Sequence, residues 1–554
     1  MYFRFAIFDF RFGGPHEAQE GLADTLGDSP GFRMANRFFR TKSLEQLKAS
    51  AEEPEHQLKK NLGAFDLTMF GIGAIIGAGI FSSIGTAAAG NMADGRYPAG
   101  PALVLSILIV ALICGFTALA YAELASMIPV SGSAYTYAYA TLGELMAWII
   151  GWDLLLEYAI SNVAVAISWG DYARSFLSSV FHVNIPGWLA MDPRSAMKLV
   201  EGLPAMGLAD KLHVLAQAKA GLANGATTFV NWEVIRSAPS LFGFPVTVNM
   251  LAVVITVLIT WLCYIGIKES ARANGVMVVV KVMILLAVVG LGLKFITPGN
   301  WHPFVPHGWK GIQAGAAIIF FAFIGFDAVS TTAEECRNPG KDLPRGILWS
   351  LAICTFIYAA VALVVTGMVH YTKLGGIADP LSFVFTQQKM TLAAGVISFG
   401  AVIATTAALL VYQVGQPRIF LSMSRDGLLS PWFSKVHDKF RTPSNATLLT
   451  GFLVAIPAAL LNIDEVVELA NIGTLFAFVI VCFAVMILRK RRPEAPRKFT
   501  MPFVFVMAPL GILGCIWIAR GLPAVTWYRF FAWLGIGLVI YFLYGLRKSR
   551  LAES

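Results

Sequence analysis

The chain has 554 residues, of which 57% are hydrophobic and only 14% charged, a composition that excludes a soluble globular protein. Its formal net charge of +9 does not indicate nucleic acid, because Lys and Arg gather in short connections between apolar runs, where orientation in a bilayer explains them. Six cysteines (Cys114, Cys263, Cys336, Cys354, Cys482, Cys515) are scattered without a CxxC or a histidine at ligand spacing. They read as reduced, buried thiols, with no disulfide framework, metal site or cofactor expected.

Residues 1–60 are polar and irregular, and MYFRFAIFDFRF lacks the apolar core of a signal peptide. They form a cytoplasmic N-terminal segment. Met34 opens MANRFFRTKSLEQLKAS, a basic amphipathic stretch suited to the membrane surface, so the reading predicts that residues 1–33 are not translated.

A membrane span needs about 20 mostly apolar residues. On that rule twelve stretches qualify, near 64–90, 100–128, 141–180, 245–267, 273–297, 311–335, 345–370, 391–424, 445–462, 468–488, 502–520 and 526–546. The fold class expected is an all-α polytopic membrane protein: a transport core over 61–490, then two further helices and a tail over 491–554. Basic residues mark alternate connections: Lys268 and Arg272, RNPGKDLPR, SRDGLLSPWFSKVHDKFR, RKRRPEAPRK and RKSR. Both termini are therefore expected in the cytoplasm. The opposite connection at 182–244 is a long insertion in which KLHVLAQAKAGLA could form a surface helix. It reads as a solvated loop, with a lid or docking role as the alternative.

The first stretch contains GIGAIIGAGIF, with glycine at 71, 73, 77 and 79. Each interior glycine weakens a helix by about 1 kcal/mol relative to alanine, and backbone left unpaired in lipid costs several more. Such a run predicts a helix broken to offer bare N–H and C=O groups to a ligand, with the positive end of the restarting helix aimed at it. Five stretches later FFAFIGFDAVSTTAEECRNP is interrupted at Gly325 and Asp327. Paired breaks in two halves point to an inverted-repeat transporter with its site at the bilayer midplane, although no residue-level repeat is visible.

Ionisable residues within apolar stretches each need a partner or a purpose. They are Glu123, Asp153, Glu157, Lys281 and Asp327. Lys281 lies well inside its stretch, and beside exposed helix carbonyls its ammonium could stand where a bound sodium ion would otherwise sit. A salt bridge with Glu157 or Asp327 is the alternative. Asp153 and Glu157 share a helix face and suit a proton relay or a charge balancing Lys281. Glu123 suits a structural or gating contact, and Phe321 could close over a ligand beside the second break. No Walker loop, GxSxG elbow or HExxH occurs, and no strand precedes GIGAIIGAG, so no enzyme motif is present.

LGAFDLTMFGIGAIIGAGIF, YAELASMIPVSGSAYTYAYATLGELMAWIIGWDLLLEY, FFAFIGFDAVSTTAEECRNP and SRDGLLSP, in this order, resemble the amino acid–polyamine–organocation superfamily. Within it they resemble the cationic amino acid transporter family and its bacterial relatives, over residues 58–548. The resemblance implies five plus five inverted-repeat helices of the LeuT-like fold, with helices 1 and 6 broken. It implies a substrate held by backbone groups at Ile75, Gly77, Ala78 and Gly79 and at Phe321 and Ile324. It also implies that Lys281 replaces sodium, with Glu157 and Asp327 sensing or balancing its charge.

Relatives often carry Thr or Ser at the position of Ala78, and bacterial relatives carry apolar residues at those of Tyr412 and Gln413, which shape the side-chain pocket. The function implied is secondary active transport of amino acids across the cytoplasmic membrane by proton symport. Its partners would be the substrate, protons and the lipid bilayer. An exchanger or facilitator is the alternative within transport, followed by a sodium-driven carrier; from another class, a transport-silent amino acid receptor needs the same breaks. The sequence assigns neither the preferred amino acid nor any accessory subunit.

Overall fold

The computed structural model describes residues 40–42, 62–92, 95–128, 130, 132–200, 206–221, 225–242, 244–265, 271–440 and 442–549. Apart from residues 40–42, the N-terminal segment with the start at Met34 and its amphipathic stretch lies outside these residues, as do Lys268 and Arg550. Among the described residues, eight helices are long and apolar enough to cross a membrane, and four shorter apolar helices accompany them. In lipid a helix is the open-chain form that pairs its own backbone groups, so charge-free runs of Leu, Ile, Val, Ala and Phe fold this way.

The first stretch is divided into α1 (Ala64–Ile75), α2 (Ala78–Phe81) and α3 (Ser83–Ala89). Next come α4 (Leu103–Met127), the short α5 (Ser133–Thr141) and α6 (Glu144–Phe181). At 38 residues, α6 is about 57 Å long at 1.5 Å per residue, so its ends reach past a hydrocarbon layer of about 30 Å. The insertion contains α7 (Pro193–Ala196), α8 (Leu208–Lys219), α9 (Trp232–Ser237) and a hairpin of β1 (Ser240–Leu241) and β2 (Phe244–Pro245).

The second half opens with α10 (Met250–Ile265), α11 (Ala271–Gly292) and α12 (Gly308–Ile319). Two 3-10 segments follow, Phe320–Phe323 and Asp327–Glu335. Then come α13 (Pro339–Met368), α14 (Pro380–Gln387), α15 (Thr391–Arg425), α16 (Ser444–Leu460) and α17 (Ile463–Arg491). The chain ends in α18 (Val504–Ala519), α19 (Ala524–Ile540), a π-turn over Tyr541–Gly545 and α20 (Leu546–Lys548).

Packing sorts these helices into two groups. The broken segments α1–α3 and α12 pack with α4 and α13, whereas α6, α10, α15 and α16 pack with one another. Burial separates centre from rim: the most apolar window of Gly308–Ala333 is 94% buried, against 22% for that of Ala524–Lys548. The second broken helix thus runs through the middle of the protein, and the last helix faces outward.

The insertion is not the solvated loop that its polarity suggests. Ala196, Leu215, Phe229 and Ile235 form a separate small core, and α8 covers most of the stretch expected to be helical. The insertion is docked on α17, where Asn462 Nδ2 donates to Ser195 Oγ at 2.7 Å and Arg194 pairs with Glu465. Buried apolar side chains, thinly spaced in the sequence, meet only once the segment folds on itself.

Candidate functional site at two helix breaks

The α1 ladder ends where Ile76 N–H donates to the Ile72 carbonyl at 2.9 Å, after which Ile76 turns extended (ψ 95°). The last carbonyls of a helix lack intrahelical donors and carry the negative end of its dipole. Here they are met from two sides. Lys281 Nζ donates to the Gly73 carbonyl at 2.7 Å and to the Ile76 carbonyl at 3.1 Å, and the Tyr358 hydroxyl donates to the Ile75 carbonyl at 3.0 Å. Lys281 is fully buried, and charge-assisted hydrogen bonds of this kind are about twice as strong as neutral ones. Beyond the break, Ala78 and Gly79 start α2, so their N–H groups have no intrahelical acceptor.

The second break mirrors the first. Asn471 of α17 donates its Nδ2 to the Ala317 carbonyl at 2.7 Å, and to the Ile318 carbonyl at 3.4 Å, at the end of α12. After the Phe320–Phe323 turn, Ile324 is extended (ψ 136°) and Gly325 has φ +117°. Asp327 Oδ1 accepts from the Gly325 N–H at 3.2 Å. Asn471 escaped the sequence reading; its one signal was a polar side chain in the apolar run LANIGTLF, which that reading passed over.

The two breaks press against each other where glycine alone fits. A Cβ on Gly79 would overlap the backbone of Ala322, and one on Gly325 would lie 2.9 Å from the Ala74 carbonyl carbon and oxygen. Gly77 faces Ala408 of α15, where a Cβ would stand 3.3 Å from the alanine methyl. Tyr412 lies one turn further along α15, with its ring against Tyr158 at 5.7 Å. Ile75, Gly77, Ala78, Gly79, Phe321, Ile324 and Tyr412 are all buried. The structure gathers the first-break and second-break residues at one place, with Tyr412 on a neighbouring helix.

The carboxylates are arranged differently from the salt bridge considered for Lys281, whose bonded partners among the described residues are carbonyls. Glu157 and Asp327 are both buried. Asp153 is buried against Gly473 of α17, with neither carboxyl oxygen hydrogen-bonded among the described residues. Glu123, read as a structural or gating contact, is held by four donors. It accepts from Arg489 Nε and Nη2 at 2.6 and 2.7 Å, from Arg497 Nε at 3.2 Å and from the Met501 N–H at 2.7 Å. That joins α4 to the end of α17 and to the connection before α18.

Polar contacts also close both ends of the broken first helix's surroundings. On one side the Tyr172 hydroxyl donates to the Phe81 carbonyl at 2.5 Å, and Thr86 Oγ1 donates to Asp464 at 3.1 Å. Arg96, beyond α3, pairs with Glu468 at 2.6 Å. On the other side Lys42 and the Tyr135 hydroxyl both reach Asp426, each at 2.5 Å.

Residues 62–542 match the family model described as amino acid permease. The chain is 44% identical over 520 residues to the branched-chain amino acid permease BcaP of Bacillus subtilis, covering 94% of this chain and all of that protein. It is 41% identical to the methylthioribose transporter of the same organism, over 93% of this chain and 99% of that one. It is 35% identical to the vacuolar cationic amino acid transporter 2 of Arabidopsis thaliana, over 85% of this chain and 66% of that one. With a family model spanning most of its length, the chain is a multi-pass membrane protein belonging to the amino acid permease family of the amino acid–polyamine–organocation superfamily, a family of transporters and not of enzymes.

Proposed function

We propose that the chain is a proton-coupled amino acid symporter of the cytoplasmic membrane, with twelve crossings in a five-plus-five inverted repeat and two extra helices, and with both termini in the cytoplasm. The observation that carries this reading is the Lys281 ammonium on the Gly73 and Ile76 carbonyls, the position from which a bound cation would hold the end of α1. The substrate carboxylate would meet N–H groups around Gly77, Ala78 and Gly79. Its amino group would meet carbonyls around Ile75, Phe321 and Ile324, and its side chain would point toward Tyr412.

With Lys281 protonated, α1 is held in the form that binds substrate. Loss of the proton weakens both hydrogen bonds, loosens the end of α1 and favours release. Glu157 and Asp327, both buried, are the groups that would pass or balance the proton. Access alternates as the group containing α1–α4, α12 and α13 rocks against the group containing α6, α10, α15 and α16, two groupings already distinct in their packing. Two of the three relatives are named for amino acids, which supports that substrate class.

The test is uptake of labelled alanine, leucine and arginine into proteoliposomes, with and without an inward proton gradient, for the wild type and Lys281→Ala. Gradient-driven accumulation that the variant lacks is the expected result. Equal uptake without a gradient, and a variant that behaves as the wild type, would instead identify an exchanger or facilitator. Binding without flux would identify a receptor.

A further inference from the structure

The hairpin of the insertion breaks a local rule. Pairing of Ser240 with Pro245 and of Leu241 with Phe244 places Phe242 in the connection at φ +50°, a left-handed conformation in which a bulky residue is an outlier. That same side chain is 93% exposed, and its neighbours Leu241 and Phe244 are exposed at 60% and 45%. An apolar cluster held outward on a strained turn gains nothing inside the protein, so its stabilisation must come from outside.

We propose that Leu241, Phe242 and Phe244 form a lipid-contact element that inserts into the interfacial layer of the bilayer leaflet next to the start of α10. Three observations select lipid as the occupant. First, no Asp, Glu, Lys or Arg occurs from Ser237 to Ile267. That run exceeds the roughly 20 residues that one span requires, and its surplus lies on the hairpin side of α10.

Second, the base of the hairpin is pinned at the level where helices end. Val248 N–H donates to the Trp188 carbonyl at 2.8 Å, and Asn249 N–H donates to the Ala459 carbonyl at 3.1 Å, one residue from the end of α16. Phe242 is four residues from Val246, so at about 3.4 Å per residue the tip stays within about 14 Å of that segment. Third, the chain between the hairpin and α10 exposes Val246, and α10 itself presents an outward apolar strip in which Met250, Val254, Val257, Leu258 and Trp261 are exposed. The solvated part of the insertion is different, since α8 exposes Asp210, His213 and Lys219. Aromatic side chains at a bilayer interface serve as anchors of this kind.

The test places a nitroxide spin label at Phe242→Cys and, as a water-facing control, at His213→Cys on α8, in the full-length protein reconstituted into liposomes. The six native cysteines are buried, so labelling is confined to the introduced sites. Power saturation then compares collision with oxygen, which concentrates in lipid, and with a water-soluble nickel chelate. The expected result is an oxygen-to-nickel collision ratio several-fold higher at position 242 than at 213. A ratio at 242 equal to that at 213 would overturn the proposal in favour of a solvated tip. Low collision with both reagents would overturn it in favour of a protein partner or a second copy of the chain.

Discussion

The two breaks are built alike and capped differently. At each, a half-helix ends in the middle of the protein and its last carbonyls receive a side chain from another helix: Lys281 from α11 onto α1, and Asn471 from α17 onto α12. One cap is an ammonium and the other an amide. Both satisfy carbonyls that would otherwise be buried without donors, which accounts for a polar residue at each place. Of the two caps only the lysine can gain or lose a proton, and the proposed function places the proton switch there. The amide on α12 has no such second state.

That contrast can be broken at its shared contact. Gly79→Val would force a branched side chain onto the Ala322 backbone and separate the two breaks. Transport is expected to vanish while the protein still reaches the membrane, as measured by uptake against surface-exposed or purified protein quantity. Activity near that of the wild type would show that the close approach has no part in transport.

A smaller effect is expected at the neutral cap. Asn471→Ala removes a hydrogen bond worth about 1 kcal/mol, so the half-saturating substrate concentration should rise about fivefold. The dependence on the proton gradient should not change. A variant that lost the gradient response would show that the amide cap itself takes part in coupling, and the distinction between the caps would fall.

Much of this arrangement was legible in the sequence because lipid penalises irregular backbone and charge so strongly. Glycines at 71, 73, 77 and 79 had no stabilising role in a straight helix, Gly325 and Asp327 interrupted an apolar run, and Lys281 stood alone among Val and Met. The helices lie where the apolar stretches predicted. What stayed hidden was pairing. Lys281 was weighed between carbonyls and the carboxylates Glu157 and Asp327, and only the folded chain decides that it caps α1.

Asn471 passed unnoticed because a neutral amide is a weak signal in a span. Its role depends on α12 ending beside it, which no local pattern shows. Glu123 was read as making a structural or gating contact, yet its partners Arg489, Arg497 and Met501 are more than 360 residues away in the chain. The core of the insertion was equally hidden, being assembled from four residues spread from Ala196 to Ile235.

The most direct measurement replaces the charged cap by a neutral one of similar reach, making the first break resemble the second. Lys281→Gln, reconstituted into liposomes, would be assayed for exchange of labelled for unlabelled substrate and for accumulation driven by an inward proton gradient. Exchange that persists, with gradient-driven accumulation abolished, is the predicted result. Accumulation that still follows the proton gradient would contradict the assignment of Lys281 as the switch at the first break.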